Sequence, residues 1–255
     1  MENFFDQKFN LRFYEMNKFG FASPPTILTL LEETAAEHCN DIGYGIYDLE
    51  KRNIGWILIN GAIEMIRYPK YREAITIRTW LSKYSPAKGY RENIILDGDG
   101  RIIGKSKGIW AFYDIGKKKP IPIFKDIKEK WGVETEISAE LNADAIHPIQ
   151  NGAPVKEFDI YRSDIDSNKH VNNIRYFHWL IESLPDETVE GYYLKKIEAK
   201  FFSEANFGEK IQVYLDGGGE ENIFTHTMRS NLDDKLFVAA YTEWEKYDAL
   251  LHTAR

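Results

Sequence analysis

The sequence is short of cysteine, of long apolar runs and of positive charge. It contains one cysteine among 255 residues, which excludes an internal disulfide framework and a cysteine-rich metal site. Its apolar runs, such as residues 56–59, fall far short of the about 20 residues that cross a bilayer. We therefore expect no membrane span. Residues 1–6 carry acids where a signal peptide would carry positive charge, which predicts a cytoplasmic protein.

The deficit of positive charge is uneven along the chain. A formal net charge of −7 argues against nucleic acid as a partner. Residues 51–130 nevertheless contain 18 Lys and Arg against 8 Asp and Glu, a local balance of +10. Either these cations are ordinary solvated strand faces, or they form a docking surface for an acidic partner. In the second interpretation Lys83, Lys88 and Arg91 would contact that partner.

The composition is that of a folded protein, and the chain repeats itself. Hydrophobic residues make up 43% of the sequence and aromatic residues 14%, enough for one large core or for two cores of about 125 residues each. Ile63-Glu64 recurs as Ile197-Glu198, and Glu92-Asn93-Ile94 recurs as Glu221-Asn222-Ile223. Matches that keep their order at a nearly constant offset indicate a duplication.

Each copy has the pattern of a strand, a helix and then several long strands. In the first copy Ser23 is placed to cap a helix that has Pro24 at its first position and stops before Gly43. In the second copy a helix is predicted over 172–184, with Pro185 ending it. Alternating apolar and polar residues predict strands at 9–14, 56–67, 75–81, 91–96 and 108–113, and again at 158–161, 194–202, 210–215, 223–229 and 236–244.

These elements predict an α+β fold in which each copy is one helix wrapped by an antiparallel sheet. Lysines, prolines and then small and polar residues separate the two copies. We place an N-terminal domain at 1–135, a linker at 136–152 and a C-terminal domain at 153–255.

One turn concentrates the groups that hydrolysis needs. Asp166, Asn168 and His170 alternate along a segment that leads from a strand directly into a helix. A hydrolytic site uses a carboxylate, an imidazole, an amide and the unpaired N–H groups of a helix start, which can hold an oxyanion. Alternatively, Asp166 and Asn168 are plain turn formers, Asn172 is a helix N-cap and His170 is a surface residue.

The turn resembles the signature of the acyl-acyl carrier protein thioesterases. The resemblance rests on the run from Asp166 through Asn168, His170, Val171, Asn172 and Asn173 to Tyr176, on Glu182, and in the first half on Trp56, Arg67-Tyr68-Pro69, Thr79-Trp80 and residues 106–114. It implies two tandem hot-dog domains with the active site in the second. Because the first copy lacks the polar groups of the second, we assign the acyl pocket to the first. The catalytic residues that the resemblance implies are Asp166, Asn168, His170 and Glu204.

We assign roles to these residues from the chemistry of thioester hydrolysis. Plant members of the family have a cysteine after the last catalytic acid, where this chain has Ala205, so a water-attack or carboxylate mechanism is expected. His170 and Glu204 would orient and deprotonate water, Asn168 would hold water or the carbonyl oxygen, and Asp166 would orient groups or act as nucleophile. Backbone N–H groups near Asn172 and Asn173 would hold the oxyanion.

The partner implied by the resemblance is acyl carrier protein with its acyl-phosphopantetheine, and the product is a free fatty acid. We expect no cofactor and no metal, since the histidines are scattered along the sequence. An acyl-CoA thioesterase and a non-catalytic acyl-binding hot-dog protein remain open alternatives, and the chain could be a monomer or a homodimer. The first copy serves as an internal comparison, because 16–23 lacks His and Asp and Tyr68-Pro69 falls opposite Glu204.

Overall fold

A computed structural model describes residues 3–135, 145–166 and 169–247. The chain divides into two compact units, unit 1 at Met1–Leu141 and unit 2 at Asn142–Arg255. Most of the predicted linker, residues 136–144, lies outside the described residues. The domain boundaries at 135 and 153 therefore stay predictions.

The helix of unit 1 begins where the sequence predicts. Helix α1 spans Pro24–Asp41, and the Ser23 hydroxyl accepts a hydrogen bond from the Thr26 N–H at 3.2 Å. This cap satisfies one of the N–H groups that a helix start leaves unpaired. The helix ends just before Gly43, whose φ of +79° lies in the left-handed region that glycine tolerates. The predicted cap and stop are both confirmed.

Unit 1 has an antiparallel sheet with the strand order β1-β3-β4-β5-β2, and a short β6 pairs with β5. The strands are β1 (Phe4–Asn10), β2 (Ile54–Met65), β3 (Ala74–Tyr84), β4 (Lys88–Leu96), β5 (Ile102–Asp114) and β6 (Lys119–Pro120), and the shorter helices are α2 (Ile46–Glu50) and α3 (Lys125–Trp131).

The predicted strand at 9–14 is wrong in its position. The first strand ends at Asn10, and Phe13–Glu15 form a 3-10 turn. The Glu15 carboxylate accepts the backbone N–H of Arg12 at 2.6 Å and also the Arg12 side chain. Because this local bonding satisfies the backbone without a neighbouring strand, the chain turns there.

The basic segment of unit 1 is less available than its charge count suggests. Arg91, an expected docking residue, is 6% exposed and lies over the Trp131 ring, so that prediction is wrong. Arg67 forms ion pairs with Glu73 at 2.7 Å and with Asp97 at 3.0 Å. Partial neutralisation of this kind reduces the field that a partner would meet.

Unit 2 repeats the arrangement with the strand order β8-β11-β10-β9-β7. Each unit thus has the helix and antiparallel sheet that the sequence predicts. Its elements are β7 (Lys156–Asp159), α4 (Asn173–Ile181), α5 (Asp186–Gly191), β8 (Tyr192–Phe201), β9 (Lys210–Gly218), β10 (Ile223–Ser230) and β11 (Leu236–Lys246).

Helix α4 is shorter than predicted. Asn172 caps its start, as expected, by accepting the Ile174 N–H at 2.8 Å. Its end comes at Ile181 rather than at Leu184, since the N–H groups of Ser183 and Leu184 bond three residues back instead of four. This tightened last turn closes the helix before the proline that follows.

Candidate active site

The predicted catalytic turn is a closed loop in unit 2. Ile165 and Val171 form an isolated bridge at its base. Within it the Asp166 N–H donates to the His170 carbonyl at 2.9 Å, and the Lys169 N–H donates to the Asp166 carbonyl at 3.0 Å. Lys169 adopts a φ of +67°, which lets the chain reverse. The loop therefore holds Asp166 and His170 at its two ends, close to the start of α4.

His170 meets Glu204, which lies 34 residues further along the chain. The His170 Nε2 and a Glu204 carboxylate oxygen are 3.2 Å apart, and the side chains are 33% and 48% exposed. Water can reach both groups at this exposure, while the carboxylate can orient the imidazole. The structure thus brings two of the predicted residues into direct contact and places Asp166 in the same loop. Asn168, the fourth, lies outside the described residues.

The segment that presents Glu204 is anchored on both sides of it. The Phe202 N–H donates to the Phe237 carbonyl at 2.9 Å, and the Lys235 ammonium donates to the Glu204 carbonyl at 2.8 Å. The Ala205 carbonyl accepts the Val171 N–H at 3.2 Å. The last bond ties the segment to the residue directly after His170, so the imidazole and the carboxylate share one backbone frame.

The helix start supplies fewer oxyanion donors than predicted. The Asn172 N–H already donates to the Asp164 carbonyl at 2.9 Å, and the Ile174 N–H is used by the cap. Asn172 is therefore not a donor for a substrate oxygen. The predicted oxyanion donor is therefore the backbone N–H of Asn173, the first residue of α4.

An ion pair that was not predicted joins the segment before the loop to α4. Asp164 is 1% exposed and lies 2.6 Å from the Arg175 guanidinium of α4. The same carboxylate accepts the Tyr161 N–H at 2.8 Å. The duplication signals the acid, because Glu15 holds the Arg12 N–H in the same way at the matching place in unit 1. It does not signal the cation, because Thr26 stands in place of Arg175.

The matching loop of unit 1 has the same backbone bonds. A bridge joins Met16 to Ala22, the Asn17 N–H donates to the Phe21 carbonyl at 2.7 Å, and the Ala22 N–H donates to the Pro69 carbonyl at 2.8 Å. These bonds correspond one by one to those of the unit 2 loop.

The correspondence identifies the residues that replace the candidate catalytic groups. Phe21 stands in place of His170, and Tyr68, which precedes Pro69, stands in place of Glu204. The two units therefore share the loop backbone, and unit 1 has Phe21 and Tyr68 where unit 2 has the imidazole and the acid.

Further properties of the described residues concern a metal site, a membrane-spanning helix and a thiol nucleophile. The ranges 3–135, 145–166 and 169–247 contain no group of three or more His, Cys, Asp or Glu that could hold a metal ion. No helix within those ranges is long and apolar enough to cross a membrane. Cys39 is buried on α1, and burial raises the pKa of its thiol, which disfavours the thiolate that a nucleophile requires.

The solved structures confirm the fold. The chain superposes on an acyl-ACP thioesterase from Bacteroides thetaiotaomicron with a TM-score of 0.84 and 23% identity, covering 95% of this chain and 98% of that one. A 12:0-ACP thioesterase from Umbellularia californica gives a TM-score of 0.80 at 18% identity, covering 96% and 94%. The predicted fold of tandem hot-dog domains is thereby confirmed.

Two Cuphea proteins are similar in sequence to most of this chain. A chloroplastic acyl-[acyl-carrier-protein] hydrolase from Cuphea viscosissima is 26% identical over 266 residues, which is 96% of this chain and 63% of that protein. A chloroplastic palmitoyl-acyl carrier protein thioesterase from Cuphea hookeriana is 25% identical over 97% of this chain and 64% of that protein. The chain thus spans less than two thirds of these relatives' length.

Two family models match consecutive parts of the chain. The model described as the acyl-ACP thioesterase N-terminal domain matches residues 2–131, and that of the C-terminal domain matches residues 149–246. The second match includes both His170 and Glu204. Because the two models together account for most of the sequence, the chain belongs to the acyl-ACP thioesterase family.

Proposed function

We propose that this protein hydrolyses the thioester of acyl-acyl carrier protein, releasing a free fatty acid and so ending chain elongation. The observation that carries the proposal is the contact of 3.2 Å between His170 Nε2 and the Glu204 carboxylate on a water-accessible loop. The two Cuphea relatives are named as an acyl-acyl carrier protein hydrolase and a palmitoyl-acyl carrier protein thioesterase, which supports the choice of substrate.

In the proposed reaction His170 and Glu204 activate a water molecule. The imidazole takes a proton as the water oxygen attacks the thioester carbonyl, and the Glu204 carboxylate stabilises the imidazolium that forms. The tetrahedral oxyanion then collapses and expels the phosphopantetheine thiolate. Since a thiol has a pKa of about 8.5, this leaving group needs little help from a general acid. The proton held by the site returns to the thiolate, so a carboxylic acid and a thiol leave.

The remaining predicted residues have auxiliary roles in this proposal. Asp166 lies in the same loop, where its carboxylate would orient groups or act as nucleophile. Asn168 would hold the water or the carbonyl oxygen, and the Asn173 N–H would face the oxyanion. No cofactor or metal takes part, and unit 1 would bind the acyl chain.

Substitution of the two contacting residues tests the proposal. His170→Ala and Glu204→Gln should each lower kcat for an acyl carrier protein thioester by about 100-fold or more, as expected for groups that transfer a proton. His147→Ala and Glu187→Gln are matched controls, because both residues are exposed in unit 2 and neither takes part in the site. Circular dichroism would check the fold of each variant. Near-normal turnover by His170→Ala or Glu204→Gln would reject the site.

We further propose that the substrate arrives on acyl carrier protein rather than on CoA. Lys83 and Lys88 are exposed at one end of the unit 1 sheet, close to the turn between β3 and β4. Lys118 and Lys119 are also exposed and follow the end of β5. That end lies beside the same turn, because the Phe112 N–H of β5 donates to the Ala87 carbonyl in the turn. Screening reduces charge interactions beyond about 8 Å at physiological salt, so such clustering is what a docking surface requires.

The salt dependence of hydrolysis tests whether these lysines bind the carrier protein. We expect kcat/KM to fall steeply with ionic strength for a carrier-linked substrate and to stay flat for the same acyl group on a short neutral thiol. The double variant Lys83→Glu/Lys88→Glu should weaken only the first reaction. Lys8→Glu is the control, since Lys8 lies beside Thr76 near the other end of β3. Equal salt slopes, or faster hydrolysis of the matching CoA ester, would reject the carrier preference but not the hydrolysis.

We place this activity in the cytoplasm, whereas both Cuphea relatives are named chloroplastic. Cell fractionation beside a cytoplasmic marker enzyme tests the compartment. Light scattering after size exclusion tests whether the protein is a monomer or a homodimer.

A further inference from the structure

The hydroxyl of Tyr176 bonds to the backbone that carries Glu204. Tyr176 lies on α4, and its hydroxyl oxygen accepts the Ala205 N–H at 3.0 Å. Ala205 is fully buried, so no water can replace this partner. The Ala205 carbonyl in turn accepts the Val171 N–H. The two peptide groups that flank Ala205 are therefore held by α4 and by the residue directly after His170.

Packing leaves the Tyr176 ring little freedom to move. The ring meets Trp179 edge to face, with centroids 5.5 Å apart and an interplanar angle of 88°. It also contacts Phe201 at 6.2 Å and Phe237 at 6.5 Å. Burial raises the pKa of the Tyr176 hydroxyl, and the nearby Glu204 charge adds to the rise. The hydroxyl therefore remains neutral at a fixed place close to that carboxylate.

Unit 1 offers a natural comparison in which both partners of this bond are missing. Ser23 and Asn172 cap corresponding helices, and the residue four positions after each cap is Ile27 in unit 1 and Tyr176 in unit 2. The residue matching Ala205 is Pro69, which has no N–H to donate. The hydroxyl and its donor are thus present together in the unit that contains the His170 and Glu204 pair, and absent together in the other.

We infer that Tyr176 is a positioning residue, whose hydroxyl holds the Ala205 peptide and thereby keeps the Glu204 carboxylate against His170. The inference rests on the proposed function, because it assumes that this pair performs the hydrolysis. Removing the hydroxyl leaves the buried Ala205 N–H without an acceptor, a state costly enough that the peptide would shift toward another partner. A shift of about 1 Å in a catalytic group can cost about 100-fold in rate.

The substitution Tyr176→Phe tests the inference, because it keeps the ring and removes only the oxygen. We expect kcat for an acyl carrier protein thioester to fall about 10- to 100-fold, with KM changed less than about twofold because no substrate contact is lost. Tyr193→Phe is the matched control. Tyr193 is buried in the same unit, at the opposite end of β8 from Glu204, and its hydroxyl bonds to Glu245.

A double variant shows whether the hydroxyl acts through Glu204. If it does, Tyr176→Phe should cause little further loss in a Glu204→Gln background, because the group being positioned is already disabled. If Tyr176 had a purely structural role, the losses in kcat caused by Tyr176→Phe and by Glu204→Gln would instead multiply in the double variant. The control Tyr193→Phe would then change KM, kcat and melting temperature as much as Tyr176→Phe does.

The outcomes separate this inference from the proposed function. Normal turnover by Tyr176→Phe, with Glu204→Gln inactive, would overturn the positioning role alone. Normal turnover by Glu204→Gln would overturn the proposed site and this inference with it. Multiplying losses in the double variant, or equal losses in Tyr193→Phe, would assign Tyr176 to stability only.

Discussion

Two buried histidines predict that the protein loses stability in mild acid. His226 on β10 is 1% exposed, and its Nε2 lies 2.9 Å from the Thr242 hydroxyl. Burial lowers the pKa of His226 to about 3. His38 on α1 is also buried, and burial together with the neighbouring Arg91 lowers its pKa to about 3. Arg91 donates to the His38 Nδ1 at 3.1 Å, which requires a neutral ring.

The size of the effect follows from linkage. A histidine whose pKa is lowered by folding takes up its proton only in the unfolded state, so stability falls as the pH drops below about 6.5 and keeps falling until about pH 3. Each pH unit costs about 1.4 kcal/mol for each histidine. At pH 5 the loss relative to neutral pH is therefore about 2 kcal/mol for each of His38 and His226, and about 4 kcal/mol for both.

Urea denaturation at pH 7.5 and pH 5.0 measures this loss directly. His38 and His226 together should contribute about 4 kcal/mol to the loss between the two conditions, and His226→Gln should lose about 2 kcal/mol less than the wild type. Thr227→Val is a suitable control, because Thr227 is equally buried on the same strand and does not titrate. It should lower stability by the same amount at both pH values. If His226→Gln and the wild type showed equal acid losses, the assignment of the pH dependence to the buried ring would be wrong.

Two further predictions concern the ion pair and the thiol. Arg175→Met should lower the free energy of unfolding by about 2 kcal/mol, because it leaves the buried Asp164 carboxylate without its cation. This value is below that of a fully buried pair, since the arginine is partly exposed. Denaturant titration would measure the change, and an unchanged midpoint would contradict it. Cys39→Ser should leave kcat within about twofold of the wild type, since the thiol is buried in unit 1 and plays no part in the proposed chemistry. A steady-state assay checks this. A folded but inactive variant would indicate that Cys39 acts as a nucleophile.

The sequence by itself determined the features that depend on neighbouring residues. The cap of α1 by Ser23 and the cap of α4 by Asn172 were predicted correctly, since a cap is made within one turn of helix. The duplication and the strand alternation predicted two antiparallel sheets. The ends were less predictable. At Arg12 and Glu15 a side-chain bond turned a predicted strand into a 3-10 turn, and the apolar stripe of α4 continued beyond its true end at Ile181.

Only the tertiary structure decided which distant residues meet. The strand pairing and the loop bonds bring Glu204 to 3.2 Å from His170, and no local pattern encodes that distance. Arg91 illustrates the reverse case, because a count of charges cannot tell a buried guanidinium from an exposed one. The bond from Ala205 to Tyr176 was also beyond the sequence. Local propensities act over a few residues, whereas such contacts depend on strand register and on the packing of side chains far apart in the chain.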